Sequence, residues 1–262
     1  MSEDAPELLY EVSDGVGTVS FNRPRARNAL TFGMYSELSR ICETAGGEDG
    51  VKALVIRGVG EKAFAAGTDI SQFREFSSPE DGLAYEAEMD RVLNTIEECG
   101  VPTVAAMHGA STGGGAAIAA SCDLRIAAAD LKFGFPIART LGNCLSATSL
   151  SRLVQLIGAG RTKEILFTSR LIGAEEALAT GLVSEVLPDQ AALDERADEL
   201  ARLLAGQAPL TLKATKQALA RLRKTMAAID DEDLIALCYT SADFREGLEA
   251  FLAKRRPEWQ GR

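Results

Sequence analysis

An α/β domain followed by a helical C-terminal segment is predicted by three features of this 262-residue sequence. Short apolar runs over residues 53–57 and 101–107 have the length and composition of buried strands. Helical patterns stand between such runs, which favours a largely parallel sheet. Beyond about residue 190 the strand signal stops and long helical stretches take over.

Taken in order, residues 8–21 read as a hairpin, because two β-prone runs flank the Asp14-Gly15 turn signal. Thr31 opens a helix whose Met34, Leu38 and Ile41 recur at i, i+4 and i+7. The run 53–57 ends at Gly58 as a buried strand. Tyr85, Met89, Val92, Leu93 and Ile96 mark one helical face. Residues 101–107 form the next strand, followed by a glycine-rich turn and a small-residue helix over 114–121. Further strands are predicted at 124–127 and 131–135, and helices at 191–204, 210–226, 231–238 and 241–254. The division is a core over residues 1–205 and a helical segment over 206–262. No sequence repeat is legible.

Charge narrows the function. Lys and Arg total 28 against 38 Asp and Glu, a net charge of −10. Such a surface repels nucleic acid and anionic membrane, so neither is an expected partner. An anionic ligand would need a local basic patch. No apolar run reaches the roughly 20 residues that span a bilayer, and residues 1–11 have no apolar core of signal-peptide length. The five cysteines form no C-x-x-C pair. A reduced, cytoplasmic setting with free buried thiols is expected.

Several motifs fail on inspection. Residues 109–113 match G-x-S-x-G around Ser111, but the only histidine, His108, precedes the serine instead of following it. Ser111 therefore reads as part of a tightly packed helix start, and His108 as a satisfied core histidine. Gly113-Gly114-Gly115 has no following lysine, so it is not a P-loop. One histidine and no cysteine cluster give no expectation of a metal.

Two loops remain in which backbone amides can act. One is the stretch 64–70, the other is 112–115 at a helix N-terminus. Glycine permits positive φ and close approach of a ligand, and a helix N-terminus presents free N–H groups. Two such amides aimed at one oxygen make an oxyanion hole.

These loops, in this order, resemble those of the crotonase superfamily, the enoyl-CoA hydratase/isomerase family. Asn22-Arg23-Pro24 with Asn28-Ala29-Leu30-Thr31 is similar to its first CoA-binding loop. Residues 64–70 resemble F-x-A-G-A-D-[IL], with Thr68 at the usual alanine. Residues 109–115 with Cys122-Asp123 resemble G-x-A-x-G-G-G…C-D, and 133–136 resemble the strand carrying F-x-x-P-E. Asp243-Phe244-Arg245-Glu246-Gly247, with Phe251, Lys254, Arg255, Pro257 and Trp259, is similar to the C-terminal signature.

The resemblance implies a ClpP-like spiral of ββα units, with an acyl-CoA-binding core over 1–205. It also implies that residues 206–262 mediate assembly into a homotrimer or hexamer. Thr68 and Gly114 would supply the oxyanion amides. Arg25, Ala26, Arg27, Ala66, Asp69, Ile70, Ser71, Ala117, Ile137 and Phe251 would bind substrate, and Lys254, from its own or a neighbouring subunit, would approach the phosphates. Coenzyme A would enter as part of the substrate, with no separate cofactor and no metal.

The sequence departs from the family at two positions. Where the resemblance expects two glutamates, it has Ala117 and Ile137. A positioned acid or base is worth on the order of 10²–10⁴ in rate, so ordinary hydratase activity is in doubt. The alternatives are isomerase or lyase chemistry on an enolate, or a non-catalytic thioester-binding role. Arg139 and Asn143 are candidate substitutes, Arg139 for a carboxylate on the acyl group and Asn143 for a water or enolate. Asn143 reads equally as the cap of a helix over 145–157. Glu86 and Glu88 are further candidates if they point inward, but their default reading is a solvated helix face.

Overall fold

The computed structural model describes residues 5–47, 50–76, 78–226 and 229–262. The first four residues of the N-terminal stretch 1–11 lie outside these. The hairpin forms as expected from β1 (Leu8–Ser13) and β2 (Val16–Phe21) and leads to helix α1 (Phe32–Thr44), with Thr31 as its cap. Next come β3 (Ala53–Gly58), β4 (Ala63–Ala65) and α2 (Pro79–Glu98), then β5 (Thr103–Met107), β6 (Ala110–Thr112) and α3 (Gly114–Ser121). Strands β7 (Leu124–Ala128) and β8 (Lys132–Gly134) precede α4 (Ile137–Thr140) and α5 (Ala147–Thr168). After β9 (Ile172–Gly173), α6 (Ala174–Ala179), β10 (Glu185–Leu187) and α7 (Gln190–Ala205), the chain closes with α8 (Pro209–Met226), α9 (Glu232–Tyr239) and α10 (Ala242–Leu252).

This is the expected spiral of ββα units. In the pairs β3/β4, β5/β6 and β7/β8 the first strand enters a sheet of order β1-β2-β3-β5-β7-β10 and the second enters a sheet of order β4-β6-β8-β9, whereas β1 and β2 both lie in the larger sheet. From β2 to β10 the larger sheet is parallel, and only the β1–β2 hairpin is antiparallel. A structural repeat thus exists without a repeat of sequence.

The continuous apolar runs follow from burial on both faces. On one face Ala53, Val55, Val104, Ala106 and Ile126 pack against Leu193, Ala197 and Ala201 of α7. On the other, Leu54, Ile56, Ala105 and Met107 join the larger core with residues of α1, α2 and α3.

The structure corrects some local expectations. Ser111 lies in β6, buried with its hydroxyl on Met107 Sδ at 3.5 Å, and not at a helix start. Strands β4 and β6 stand where the sequence predicts loop, because three residues carry no measurable period. Asn143 does not cap the following helix. Ser146 does, accepting from the Ser149 amide at 3.1 Å. His108 is a satisfied core histidine, its Nε2 at 2.7 Å from the Gly60 carbonyl.

The C-terminal helices are tied to the core by charge. Buried Arg223 of α8 donates to both oxygens of Glu97 on α2 at 2.6 and 2.5 Å. Lys216 reaches Asp123 at 2.6 Å. Leu210, Leu219, Leu222, Leu234 and Leu237 on α8 and α9 stay exposed. No helix among the described residues is long and apolar enough to cross a membrane.

Candidate functional site

Strands β4, β6 and β8 run parallel, with Ala63 opposite Ala110 and Ala110 opposite Lys132. Their carboxyl ends therefore open at one edge, where open α/β sheets place ligands. The three exits border a cavity of about 670 Å³ lined by both amide-bearing loops and by Phe135, Pro136 and Ile137.

Backbone pairing fixes the first loop. Leu30 bridges it, donating to the Gly67 carbonyl at 2.8 Å and accepting from the Asp69 amide at 2.8 Å. Because those two groups point toward Leu30, the intervening Thr68 amide points to the other side, as alternate groups of an extended chain do. Asp69 holds the turn beyond by accepting from the Ser71 amide and from Arg23 at 3.2 and 2.9 Å.

The second loop needs its glycines. Gly113 has φ +52° and a Cβ on it would lie 3.4 Å from Gly67 Cα, so the two loops touch. A Cβ on Gly114 would lie 1.9 Å from Tyr35 Oη, and one on Gly115 2.2 Å from the Ala65 carbonyl oxygen. A side chain at Gly115 would run into backbone, and one at Gly114 requires the Tyr35 hydroxyl or the start of α3 to move. Gly114 is the first residue of α3, so its amide has no partner within the helix. Neither it nor the Thr68 amide meets a backbone carbonyl among the described residues.

The structure gathers most of the predicted residues. Thr68 and Gly114 line the cavity, as do Ala66, Asp69, Ile70 and Ser71 of the first loop. Ala26, Arg27 and Phe251 also face it. Ala117 and Ile137 are both on its wall, one turn along α3 from Gly114 and at the start of α4. Three cationic residues are not brought in: Arg25, Arg139 and Lys254 are exposed and off the cavity wall. Arg139 follows Ala138 on the outer side of the short α4, so its expected role beside the acyl group lacks the geometry. Lys132, which no motif marks, lines the cavity.

The larger correction concerns Glu86. It is not on a solvated face: only 6% of it is exposed, and it lines the cavity. Burial raises its pKa from 4.5 to about 7, against a hydrogen bond from Tyr239 that favours the charged form. Tyr239 donates to Glu86 Oε1 at 2.5 Å and accepts from Asn143 Nδ2 at 3.2 Å. Asn143 Oδ1 is buried with no partner. Glu88 does lie on the outer side, paired with Arg91 at 2.7 Å. Periodicity carried a signal for this difference, since Glu86 stands three residues before Met89 and seven before Leu93 on the apolar stripe.

Hydroxyls complete the wall. Tyr35 Oη lies 2.9 Å from Thr68 Oγ1, which lies 3.0 Å from Tyr85 Oη. Burial raises the pKa of both tyrosines above the ordinary phenol value.

Residues 11–262 match the family model described as enoyl-CoA hydratase/isomerase. The chain is 34% identical to the short-chain-enoyl-CoA hydratase of Clostridium acetobutylicum, over 96% of each chain. It is 32% identical to the crotonyl-CoA hydratase of Syntrophomonas wolfei, over 95% of this chain and 96% of that one. A solved methylmalonyl-CoA decarboxylase, in complex with 2-nitronate-propionyl-CoA, superposes with a TM-score of 0.89 at 26% identity over 98% and 99% of the two chains. The names of these relatives lend no support to the doubt over hydration, nor to a non-catalytic role. With the matched region spanning the whole spiral and both amide loops, the chain belongs to the enoyl-CoA hydratase/isomerase family.

Proposed function

We propose that this protein is an enzyme acting on an acyl-CoA thioester, in which the Thr68 and Gly114 amides polarise the thioester carbonyl and Glu86 moves the proton. The observation that carries this reading is a buried carboxyl of pKa about 7 on the wall of the cavity that holds both amide loops. A group poised near neutral pH suits both acid and base roles.

One carboxyl is enough for either reaction of the family name. In hydration, Glu86 takes a proton from water as the water oxygen bonds to the β-carbon. The electron pair of the double bond moves to the thioester oxygen as an enolate, and the same carboxyl then returns its proton to the α-carbon. Asn143 Oδ1, an acceptor without a partner, suits the second proton of that water. In isomerisation, Glu86 removes a proton from the α-carbon of a 3-enoyl thioester and returns it at the γ-carbon. Both routes pass through the enolate that the amides stabilise.

Arg27 and Lys132 on the cavity wall, with exposed Arg25 and Lys254 as further cations, are proposed to meet the CoA phosphates. CoA is part of the substrate in this reading. A homotrimer or hexamer in the cytoplasm completes it, supported by the exposed leucines of α8 and α9.

The test is α-hydrogen exchange of butyryl-CoA in D₂O beside hydration of crotonyl-CoA. Exchange by the wild type, and an E86Q variant slower by roughly 10²–10⁴ with unchanged affinity for the thioester, are expected. Tight thioester binding with neither exchange nor hydration would replace this reading with a non-catalytic one.

A further inference from the structure

The hydroxyl cluster beside the amide loops has one proton more than it spends. Tyr35, Thr68 and Tyr85 each carry one hydroxyl proton. Only two contacts join them, at 2.9 and 3.0 Å, and each contact uses one proton. No other protein partner of these hydroxyls is found among the described residues. All three residues line the cavity, so the unspent donor is available to whatever fills it.

Chemistry decides which hydroxyl keeps it. A phenol is a stronger donor than an aliphatic alcohol, and Thr68 Oγ1 has two lone pairs to accept both phenols. Burial keeps both tyrosines protonated. Donation from both sides polarises the threonine hydroxyl and strengthens it as a donor in turn. Its location fits. Thr68 Oγ1 lies 3.1 Å, and Tyr35 Oη 1.9 Å, from the place a Cβ on Gly114 would take. A helical Cα–Cβ bond tilts toward the helix N-terminus, which is where the free Gly114 amide also points.

We infer that the Thr68 hydroxyl, oriented by Tyr35 and Tyr85, is a third hydrogen-bond donor to the thioester oxygen, beside the two backbone amides. This rests on the reading that those amides polarise a thioester carbonyl. Thr68 then serves one oxygen with both its amide and its side chain, and the two tyrosines act as positioning residues. An alanine at this position, the residue the family resemblance leads one to expect, lacks this donor.

The probe is cinnamoyl-CoA, whose absorption moves to longer wavelength as its carbonyl is polarised. Wild type, T68V, T68A and T68S are compared for that shift and for α-hydrogen exchange of butyryl-CoA. T68V and T68A are expected to lose part of the shift and to slow exchange about 10- to 100-fold, toward the effect of deleting one oxyanion donor. T68S keeps the hydroxyl and is expected to retain both. T68A guards against a valine that merely disturbs the loop. Wild-type shift and rate in T68V and T68A would overturn the inference, as would a T68S as impaired as T68V. A wild type that binds cinnamoyl-CoA with no shift would instead overturn the amide reading beneath it.

Discussion

Tyr239, the last residue of α9, donates its hydroxyl to Glu86 on α2 at 2.5 Å, so the C-terminal helices reach a buried carboxyl of the cavity wall. The bond favours the carboxylate. Burial pushes the Glu86 pKa up, bonds from Tyr239 and the Ser146 amide pull it down, and the charges of Asp90 and Asp231 push it up again.

Y239F removes the first of the two lowering interactions and leaves the phenyl ring in place. The Glu86 pKa should then rise above about 7. Proton abstraction needs the carboxylate, so the ascending limb of the pH–rate profile for α-hydrogen exchange moves to higher pH. A shift of roughly one unit is expected for a hydrogen bond to a charged group. An unmoved limb would show that the limb does not report Glu86.

The same raised pKa makes Glu86 a stability cost at high pH. Its pKa is about 7 when folded against 4.5 ordinarily, so the native state holds the extra proton between those values. Stability therefore falls as pH rises from about 4.5 to 7 and the cost is complete above 7. That gap corresponds to about 3 kcal/mol. E86Q cannot titrate and keeps an acceptor for Tyr239. Its melting temperature should exceed that of the wild type at pH 8, with the difference shrinking toward pH 5.

Most of the architecture was legible because its signals are long. The two-sided burial of β3 and β5 writes itself as the runs 53–57 and 101–107, and Thr31 marks the start of α1 at the cap. Strands β4 and β6 are not legible as strands, yet the glycines beyond them are, because a Cβ on Gly115 would meet the Ala65 backbone and one on Gly114 the Tyr35 hydroxyl. The acidic side of the site was hidden for another reason. Glu86 meets Tyr239, and Tyr239 meets Asn143, only through tertiary packing, over 153 residues in the case of Glu86 and Tyr239. Arg139 looked suitable by proximity to Ile137, but a four-residue helix turned it outward.

Arg223 should be among the most sensitive positions outside the site. It is 1% exposed and its guanidinium meets Glu97, Asn94 Oδ1 and Ser151 Oγ. R223A leaves Glu97 beside Arg152 alone and opens a void between α8 and α2. Breaking a buried pair by removing one partner costs about 3–5 kcal/mol. Urea denaturation should show that loss, whereas truncating the exposed Arg40, paired with Glu37 on the surface of α1, should cost less than about 1 kcal/mol.

The contact between Gly114 and Tyr35 gives a prediction of suppression. A Cβ at residue 114 would meet Tyr35 Oη at 1.9 Å but Cζ only at 3.2 Å. The clash is thus almost wholly with the hydroxyl oxygen. G114A alone must push either Tyr35 or the start of α3 aside, and overpacking of this kind costs roughly 1–3 kcal/mol. Y35F alone removes one hydrogen bond to Thr68, about 1 kcal/mol. Combined, the two changes should be less destabilising than their sum, because phenylalanine vacates the space that the new methyl enters. The double variant should refold close to Y35F in stability and regain part of the α-hydrogen exchange that G114A loses. Strict additivity of the two losses in a denaturation cycle would mean that the backbone of α3, not the tyrosine hydroxyl, is what forbids a side chain at residue 114.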